Sequence, residues 1–372
     1  DPVDEVTVKI KGHTLSEAYD GQSHSVEGYD VEISNALYTE ADIEFTGTAS
    51  VSGTEAKKYG MELKPADFAN RNGNFNTVTF NIVDGELEIK PIDVSVEITG
   101  HSDTTDYDGK AHSVSGYDVK ISNALYTEGD YTFNGTAAAE RTDAGTTAMG
   151  LKAEQFKNTN SNFGTVTFKV TDGVQTINPI DATVTIVGHN STMDYDSAKH
   201  EVTGYDVTGI SEPLYTEGDF TFKGTAEAER TDAGKTDMGL KASDFANTNP
   251  NFRTVTFNVT DGYQTINPID VNVTIKGHNN ATTYDGTEHE ISGYEVVEIS
   301  DPLYKEADIT FTGEAIATRT EEGTTQMNLA AEQFGNQNEN FRTVTFTIEE
   351  DGYQKIDPVD EVTVKIKGHT LS

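Results

Sequence analysis

The residues best suited to chemistry in this chain are its histidines, because they come in pairs at a fixed spacing. His13 and His24, His101 and His112, His189 and His200, and His278 and His289 are each eleven residues apart. Neutral imidazoles facing each other across neighbouring strands could share a divalent metal or titrate near neutral pH. No third ligand column accompanies them, and a His that follows Gly at a strand end reads first as a hydrogen-bonding surface residue. Calcium is the better metal candidate. Aspartates recur where successive repeats meet, Asp84 with Asp93, Asp172 with Asp181, Asp261 with Asp270 and Asp351 with Asp360, and hard oxygen ligands beside a linker could bind calcium and stiffen it. Their spacing matches no compact calcium loop, so no cofactor is assigned and calcium is carried only as a candidate.

Other chemistries find less support. The chain has no cysteine, which removes disulfides, thiolate metal sites and cysteine nucleophiles together. It has no Gly-rich phosphate loop, no nucleophile elbow and no His-Glu-x-x-His, and carboxylates are so numerous that any one pair is uninformative. We therefore expect no enzymatic activity. Lys64, Lys152 and Lys241 share a column that a Lys–Asn crosslink would need, but Ala330 breaks it, and an unpaired lysine is costly to bury. Sequons at Asn134 and Asn190 matter only where a glycosylation system acts on them.

Charge narrows the partners. Acidic residues outnumber basic ones 63 to 26, for a formal net charge of -37. Such a field repels phosphate backbones and anionic lipid surfaces, so neither nucleic acid nor a membrane is an expected partner. No apolar run approaches the roughly 18 to 20 residues that a spanning helix needs. The lack of an initiator Met suggests a piece of a longer or processed chain.

The elements that must position these residues belong to one module used four times. Pro, an apolar residue and Asp recur at Pro2, Pro91, Pro179, Pro268 and Pro358, and Tyr-Asp recurs at Tyr19, Tyr107, Tyr195 and Tyr284. The modules run 1–90, 91–178, 179–267 and 268–356, and residues 357–372 restart the series. Sixteen of the seventeen phenylalanines fill four columns, those of Phe45, Phe68, Phe75 and Phe80; Phe220 alone stands outside. Val6, Val8 and Ile10 alternate with polar residues, the period of a half-buried strand. The segment Val78 to Ile82 repeats the alternation and meets Asp84-Gly85, a signal for a tight hairpin that recurs at Asp172, Asp261 and Asp351. Met149, Ala153 and Phe156 stand at i, i+4, i+7, as do Met61, Pro65 and Phe68, which predicts one short helix per module. The Asn-x-Asn-Phe after it, as at Asn160 to Phe163, reads as the stop signal of that helix. These patterns predict a mainly β fold of four tandem β-sandwich (Ig-like) modules of about 88 residues, each with one short helix, arranged as an elongated rod. The alternative is an α+β module with a helix on one sheet.

An opening strand after Pro, then Tyr-Asp-Gly, a late Asn-Phe, an alternating strand, Asp-Gly and a closing strand resemble the MBG-type (bacterial Ig-like) tandem repeats of large bacterial cell-surface and adhesin proteins. The resemblance spans the whole chain. Ser197 replaces the Gly of Tyr-Asp-Gly in the third module, and the family's Val-Gly-Thr is Ala-Gly, Glu-Gly or Ser-Gly here. The resemblance implies a stalk or adhesive array outside a bacterial cell.

Repetition argues for length or multivalency rather than catalysis. Pro-containing linkers of a few residues limit bending, and strands of roughly 7 to 9 residues give modules of about 35 to 40 Å, or about 150 Å for four end to end. The first expectation is a structural segment of an extracellular rod, stalk or filament at the cell surface. A second is a set of binding modules presenting loops such as Tyr19-Asp20-Gly21 or Leu37-Tyr38-Thr39-Glu40 to a glycan or host protein. An accessory region of a polysaccharide-degrading enzyme is a third. The expected partners are neighbouring modules of the same or an identical chain.

The ends carry one more signal. Residues 1–16, DPVDEVTVKIKGHTLS, recur as residues 357–372, and both copies hold an extra Glu, Glu5 and Glu361, that the three internal starts lack. The closing copy is thus the first module beginning again. It marks either the period of a longer covalent array or, as the rival reading, a strand that inserts into a neighbouring subunit.

Overall fold

In the first module the alternation of Val6, Val8 and Ile10 has the outcome it predicts. These residues form β1 (Val6–Gly12), all three are fully buried, and Lys9 and Lys11, which alternate with them, are exposed. The computed structural model describes residues 5–369, so Pro2 and the last three residues of the closing repeat lie outside the described residues.

Nine strands follow in the module: β2 (Thr14–Ala18), β3 (His24–Glu27), β4 (Tyr29–Ile33), β5 (Ile43–Phe45), β6 (Ser50–Gly53), β7 (Lys58–Gly60), β8 (Phe68–Asn70), β9 (Val78–Val83) and β10 (Glu86–Lys90). One sheet has the order β4-β1-β9 and the other β2-β10-β7, with β3-β6 and β5-β8 as short antiparallel pairs. The first two strands each pair in parallel with one of the last two. Val8 sits beside Phe80 on β9 and Ile33 on β4, and Leu15 on β2 sits beside Leu87 on β10. The start and end of each module are therefore stitched together, and β1 is the central strand of its sheet.

Aromatic rings fill the space beneath that sheet. Phe68 stacks on Phe80 at 5.7 Å between centroids, and Tyr38 meets Phe75 edge-on at 5.1 Å. Edge-on and offset arrangements are the ones favoured by the ring quadrupole. The same columns build the other cores, with Tyr126 and Phe163 in the second module and Tyr304 and Phe341 in the fourth. The protein is thus mainly β, four repeating β-sandwich modules of about 88 residues. By packing, the chain divides into two units, Asp1–Ile180 and Asp181–Ser372.

Two expectations are corrected. The short helix is only a single 3₁₀ turn, Pro65–Asp67 in the first module and Ala153–Gln155 in the second; a further turn, Glu40–Asp42, precedes β5, and there is no α-helix among the described residues. Three residues cannot repay the cost of nucleating an α-helix, and Phe68 leaves the turn at once to pair with Phe45 across β5 and β8. The α+β alternative falls with it. Asp84-Gly85, in turn, joins β9 to β10, which lie in different sheets, so it is a corner and not a hairpin. Its glycine is required by space: a Cβ on Gly85 would lie 2.4 Å from Met61 Sδ and 2.7 Å from the His13 carbonyl oxygen. Gly12 crosses directly against it, where a Cβ would come within 2.2 Å of the Gly85 nitrogen.

Candidate functional site

The histidines do not face one another as metal pairs. His13 follows the β1 corner, with Nδ1 2.6 Å from the Glu27 carbonyl oxygen and Nε2 3.3 Å from Asp30. His24 opens β3 and sets Nε2 2.9 Å from Asp20. His101 repeats the first arrangement with Ser115 and Asp118, and His112 repeats the second with Asp108. The carbonyl of Glu27 and the carboxylate of Asp30 raise the pKa of His13 above 6.5, and Ser115 and Asp118 do the same for His101. The pair Asp20–His24 closes the Tyr-Asp-Gly turn, since Asp20 also accepts the Gln22 N–H.

The aspartates at the joins serve the backbone. Asp84 accepts the N–H groups of Glu62 and Leu63, each at 3.0 Å. Asp172, Asp261 and Asp351 do the same for Gly150–Leu151, Gly239–Leu240 and Asn328–Leu329. Asp93 accepts the Thr165 N–H at 2.8 Å, while Asp181 pairs with Arg253 and Asp270 with Arg342, both at 2.7 Å. Asp360 lies beyond the last strand and is exposed. In the first three joins, each member of the pair thus holds a different segment. Among the described residues, the group of three or more side chains close enough to share a cation is Glu201, Glu227 and Glu229, an exposed carboxylate cluster with no histidine and none of the join aspartates.

The loop tyrosines split into two roles. Tyr38 is buried, and its hydroxyl donates to the Asp42 carbonyl and to Asn70 Oδ1, both at 3.1 Å. Its second-module counterpart Tyr126 has the same bonds, and burial, with Asp130 beside it, pushes its pKa up to about 12. The Leu37-Tyr38-Thr39-Glu40 loop therefore offers Leu37 and not the Tyr ring to solvent. Tyr19 instead leaves its own module. Its ring packs edge-on against Phe163 of the second module at 5.7 Å and joins that module's core.

Around Tyr19 the two modules of the first unit build a joint. Asn162 Oδ1 accepts the Ala56 N–H at 2.7 Å, and Asn162 Nδ2 donates to Glu55, both in the β6–β7 loop of the first module. The linker is pinned at both sides, because Tyr19 donates its N–H to the Lys90 carbonyl at 2.9 Å and Ile92 donates to the Asn162 carbonyl at 3.2 Å. Leu125 of the second module reaches the Gly21 turn.

The second unit repeats the joint with its own residues. Tyr195 packs on Phe341 at 5.8 Å, Asn340 Oδ1 accepts the Ala233 N–H at 2.6 Å, and Asn340 Nδ2 donates to Asp232 at 3.0 Å. Two different devices hold the receiving loop in shape. In the third module Arg230 reaches the Ala233 carbonyl at 2.6 Å and Thr236 Oγ1 at 3.3 Å. In the first module Gly53 and Tyr59 stand in those columns, and the Tyr59 hydroxyl bonds both the N–H and the carbonyl of Glu55.

Sequence reasoning missed this joint because Asn162 reads as turn punctuation. It does terminate the segment locally, by an Asx bond from its N–H to Asn160 Oδ1 at 2.9 Å. Its side chain, however, is committed to residues more than a hundred positions earlier. The only available signal was the recurrence of Tyr-Asp and Asn-Phe in every module.

No protein-family model matches the chain, and neither does any curated protein sequence. Among solved structures, the N-terminal four Ig domains of Dscam1 isoform 1.9 are 6% identical over 94% of this chain and 97% of that one, with a TM-score of 0.16. The I9–I11 tandem of titin is 13% identical over 70% of this chain and 98% of that one, at 0.17. The Bacillus anthracis TIE protein is 8% identical over 93% of this chain and 75% of that one, at 0.18. At such TM-scores the likeness carries no argument about this chain.

Proposed function

We propose that the chain is a non-catalytic spacer, a segment of a stalk or filament at a bacterial surface that sets the distance of another function by its length. The observation that supports it is the joint: the same columns, Tyr with Asn-Phe, link successive modules in each unit. Repeated residues are spent on holding modules to one another, which a spacer needs and a catalyst does not. Stacked modules with nearest-neighbour contacts are the usual route to such length. The net charge of -37 keeps such a chain dispersed, and the resemblance to MBG-type repeats favours an extracellular setting. No helix of the described residues is long and apolar enough to cross a membrane.

The test is a glycan and host-protein array probed with the full chain, run beside small-angle scattering. A spacer stays silent on the array and scatters as an elongated particle. Saturable binding that Leu37→Ala abolishes would replace this reading with the multivalent binding one.

A further inference from the structure

The chain enters the second module through the strand Ile92–Gly100 and leaves it through the strand Val174–Asn178. Both are central strands. The first lies between Tyr117–Ile121 and Phe163–Thr171, the second between Asp103–Asp106 and Gly145–Ala148. Each has one parallel neighbour, with Val96 beside Phe168 and Thr105 beside Ile177, and one antiparallel neighbour, with Ile98 beside Val119 and Gln175 beside Thr147. Tension along the chain therefore draws each strand out along its own length, past two neighbours at once. Ladder bonds run from strand to strand, across that direction, so they are loaded together and not one after another. Little slack precedes the load, because Pro91 alone separates the closing strand of the first module from the opening strand of the second, and Pro268 does the same for the third and fourth.

Side chains add a rung at both places where the pull arrives. The pairing register slips between Ile92 and Val94, and Asp93 fills the interruption by accepting the Thr165 N–H at 2.8 Å. In the third module Asp181 accepts the Thr254 N–H at 3.1 Å and a bond from Arg253 at 2.7 Å. In the fourth, Asp270 accepts the Thr343 N–H at 3.2 Å and both Nε and Nη2 of Arg342, at 3.2 and 2.7 Å. At the exit, Asn178 Nδ2 donates to Asp106 and Asn267 Nδ2 to Asp194, both at 3.2 Å. The carbonyls of the same two asparagines accept the N–H groups of Tyr107 and Tyr195 at 2.9 Å. These side-chain bonds are exposed, and exposed bonds of this kind contribute little to equilibrium stability. What they share is their place, at the ends of the strands that the chain itself would pull.

We propose that the modules carry tension along the chain, with Asp93, Asp181 and Asp270 at the entry and Asn178 and Asn267 at the exit as a clamp that sets the force at which a module unfolds. This rests on the reading of the chain as a stalk, since a stalk is loaded along its length by whatever it holds. Forced unfolding is governed by the unfolding rate and not by the equilibrium population of open forms. A bond that must break before two ladders can slide raises that barrier, however small its share of the folding equilibrium. The aspartates of the Pro-x-Asp repeat thereby acquire a role that needs no calcium.

The test is single-molecule stretching of the full chain, held by tags at its two ends. Each of the four modules should rupture in one step that releases about 250 to 280 Å, the extended length of 88 residues less the folded one. Combining Asp93→Ala with Asn178→Ala should make one of the four ruptures severalfold faster at the same force. Asp172→Ala is the comparison, because it removes bonds to the Gly150 and Leu151 N–H groups, which lie off the path of the load; it should lower the melting temperature more and the rupture force less. Direction supplies the second readout. Lys120 and Lys169 flank Glu97 in one row across the sheet and are exposed, so in a chain without cysteine Lys120→Cys with Lys169→Cys allows the same module to be pulled sideways. That pull stretches the ladder bonds along their own direction, the nearest first, and should open the sheet at severalfold lower force than a pull along the chain. Equal forces in the two directions, or a clamp variant whose four ruptures match the parent, overturn the proposal. Either result leaves the stalk reading standing, whereas binding on the array would remove that reading without moving the forces.

Discussion

Replacing Asn162 by Ala removes the two side-chain hydrogen bonds that tie the second module to the first and nothing inside its own module, because the Asx bond uses the backbone N–H. A neutral bond such as that from Ala56 contributes about 1 kcal/mol, and one to a carboxylate about 1.5 to 3 in a dry site. Glu55 is exposed, so solvent screening reduces its share, and the sum is about 1 to 2 kcal/mol. For a module of this size each kcal/mol moves the midpoint by about 4 to 8 °C. Scanning calorimetry of the full chain should then show the transition of the affected modules lowered by about 4 to 16 °C. Asn74→Ala is the internal control, since it is the same substitution in the same column with an exposed side chain, and should stay within about 0.5 kcal/mol of the parent. In a double-mutant cycle, Glu55→Ala and Asn162→Ala should be strongly non-additive. Equal effects at Asn74 and Asn162 would refute the joint as an energetic link, because they would show that the column acts only on its own turn.

The other expectations are more local. Ser197 has φ 66° where Gly21, Gly109 and Gly286 have φ of 75 to 80°, so Ser197→Gly should stabilise the third module by about 1 kcal/mol; a loss of stability would show that the serine side chain compensates. Gly173→Ala places a Cβ 2.2 Å from the His101 carbonyl oxygen and should cost about 1 to 3 kcal/mol by chemical denaturation. A neutral result would mean that the corner between sheets is loose. Stability should also pass through a maximum in mildly acidic solution. His13, His101 and His189 have folded pKa values above 6.5, raised by Glu27 and Asp30, by Ser115 and Asp118, and by Asp206 and Thr203. Their contribution is complete below pH 6.5 and is lost as pH rises through the raised values. Bonds from His24, His112 and the N–H groups of Ala198 and Thr287 lower the pKa values of Asp20, Asp108, Asp196 and Asp285, the last to about 2. That contribution is present above the usual carboxylate range and is lost as pH falls through the lowered values. A melting temperature that climbs between pH 6 and 8 would contradict the histidine assignments.

Much of the fold was legible in the sequence because it rests on short-range patterns. Alternation at Val6, Val8 and Ile10 marks a strand whichever sheet receives it, and the phenylalanine columns mark a core whichever partners they meet. The failures came where identity depends on distant neighbours. Asp84-Gly85 has the composition of a hairpin, yet its glycine answers to Gly12 and Met61, residues that the local sequence does not bring beside it. The i, i+4, i+7 spacing of Met61, Pro65 and Phe68 suggested a helix, although one 3₁₀ turn between two extended segments buries Met61 and Phe68 as well. The histidine and aspartate columns were visible, but their roles were set by the carbonyls and N–H groups that backbone geometry alone places against them. Asn162 was seen, and its partner was not, because a joint between modules leaves no periodicity within either.

The central claim is that the joint fixes one module against the next. Double electron–electron resonance tests it directly, with spin labels on cysteines introduced at Asn81 in the first module and Lys169 in the second, both exposed in a chain that has no other thiol. A fixed joint predicts a single narrow distance distribution that broadens when Tyr19→Ala and Asn162→Ala are combined. A broad distribution in the parent chain, unchanged by those substitutions, would contradict it.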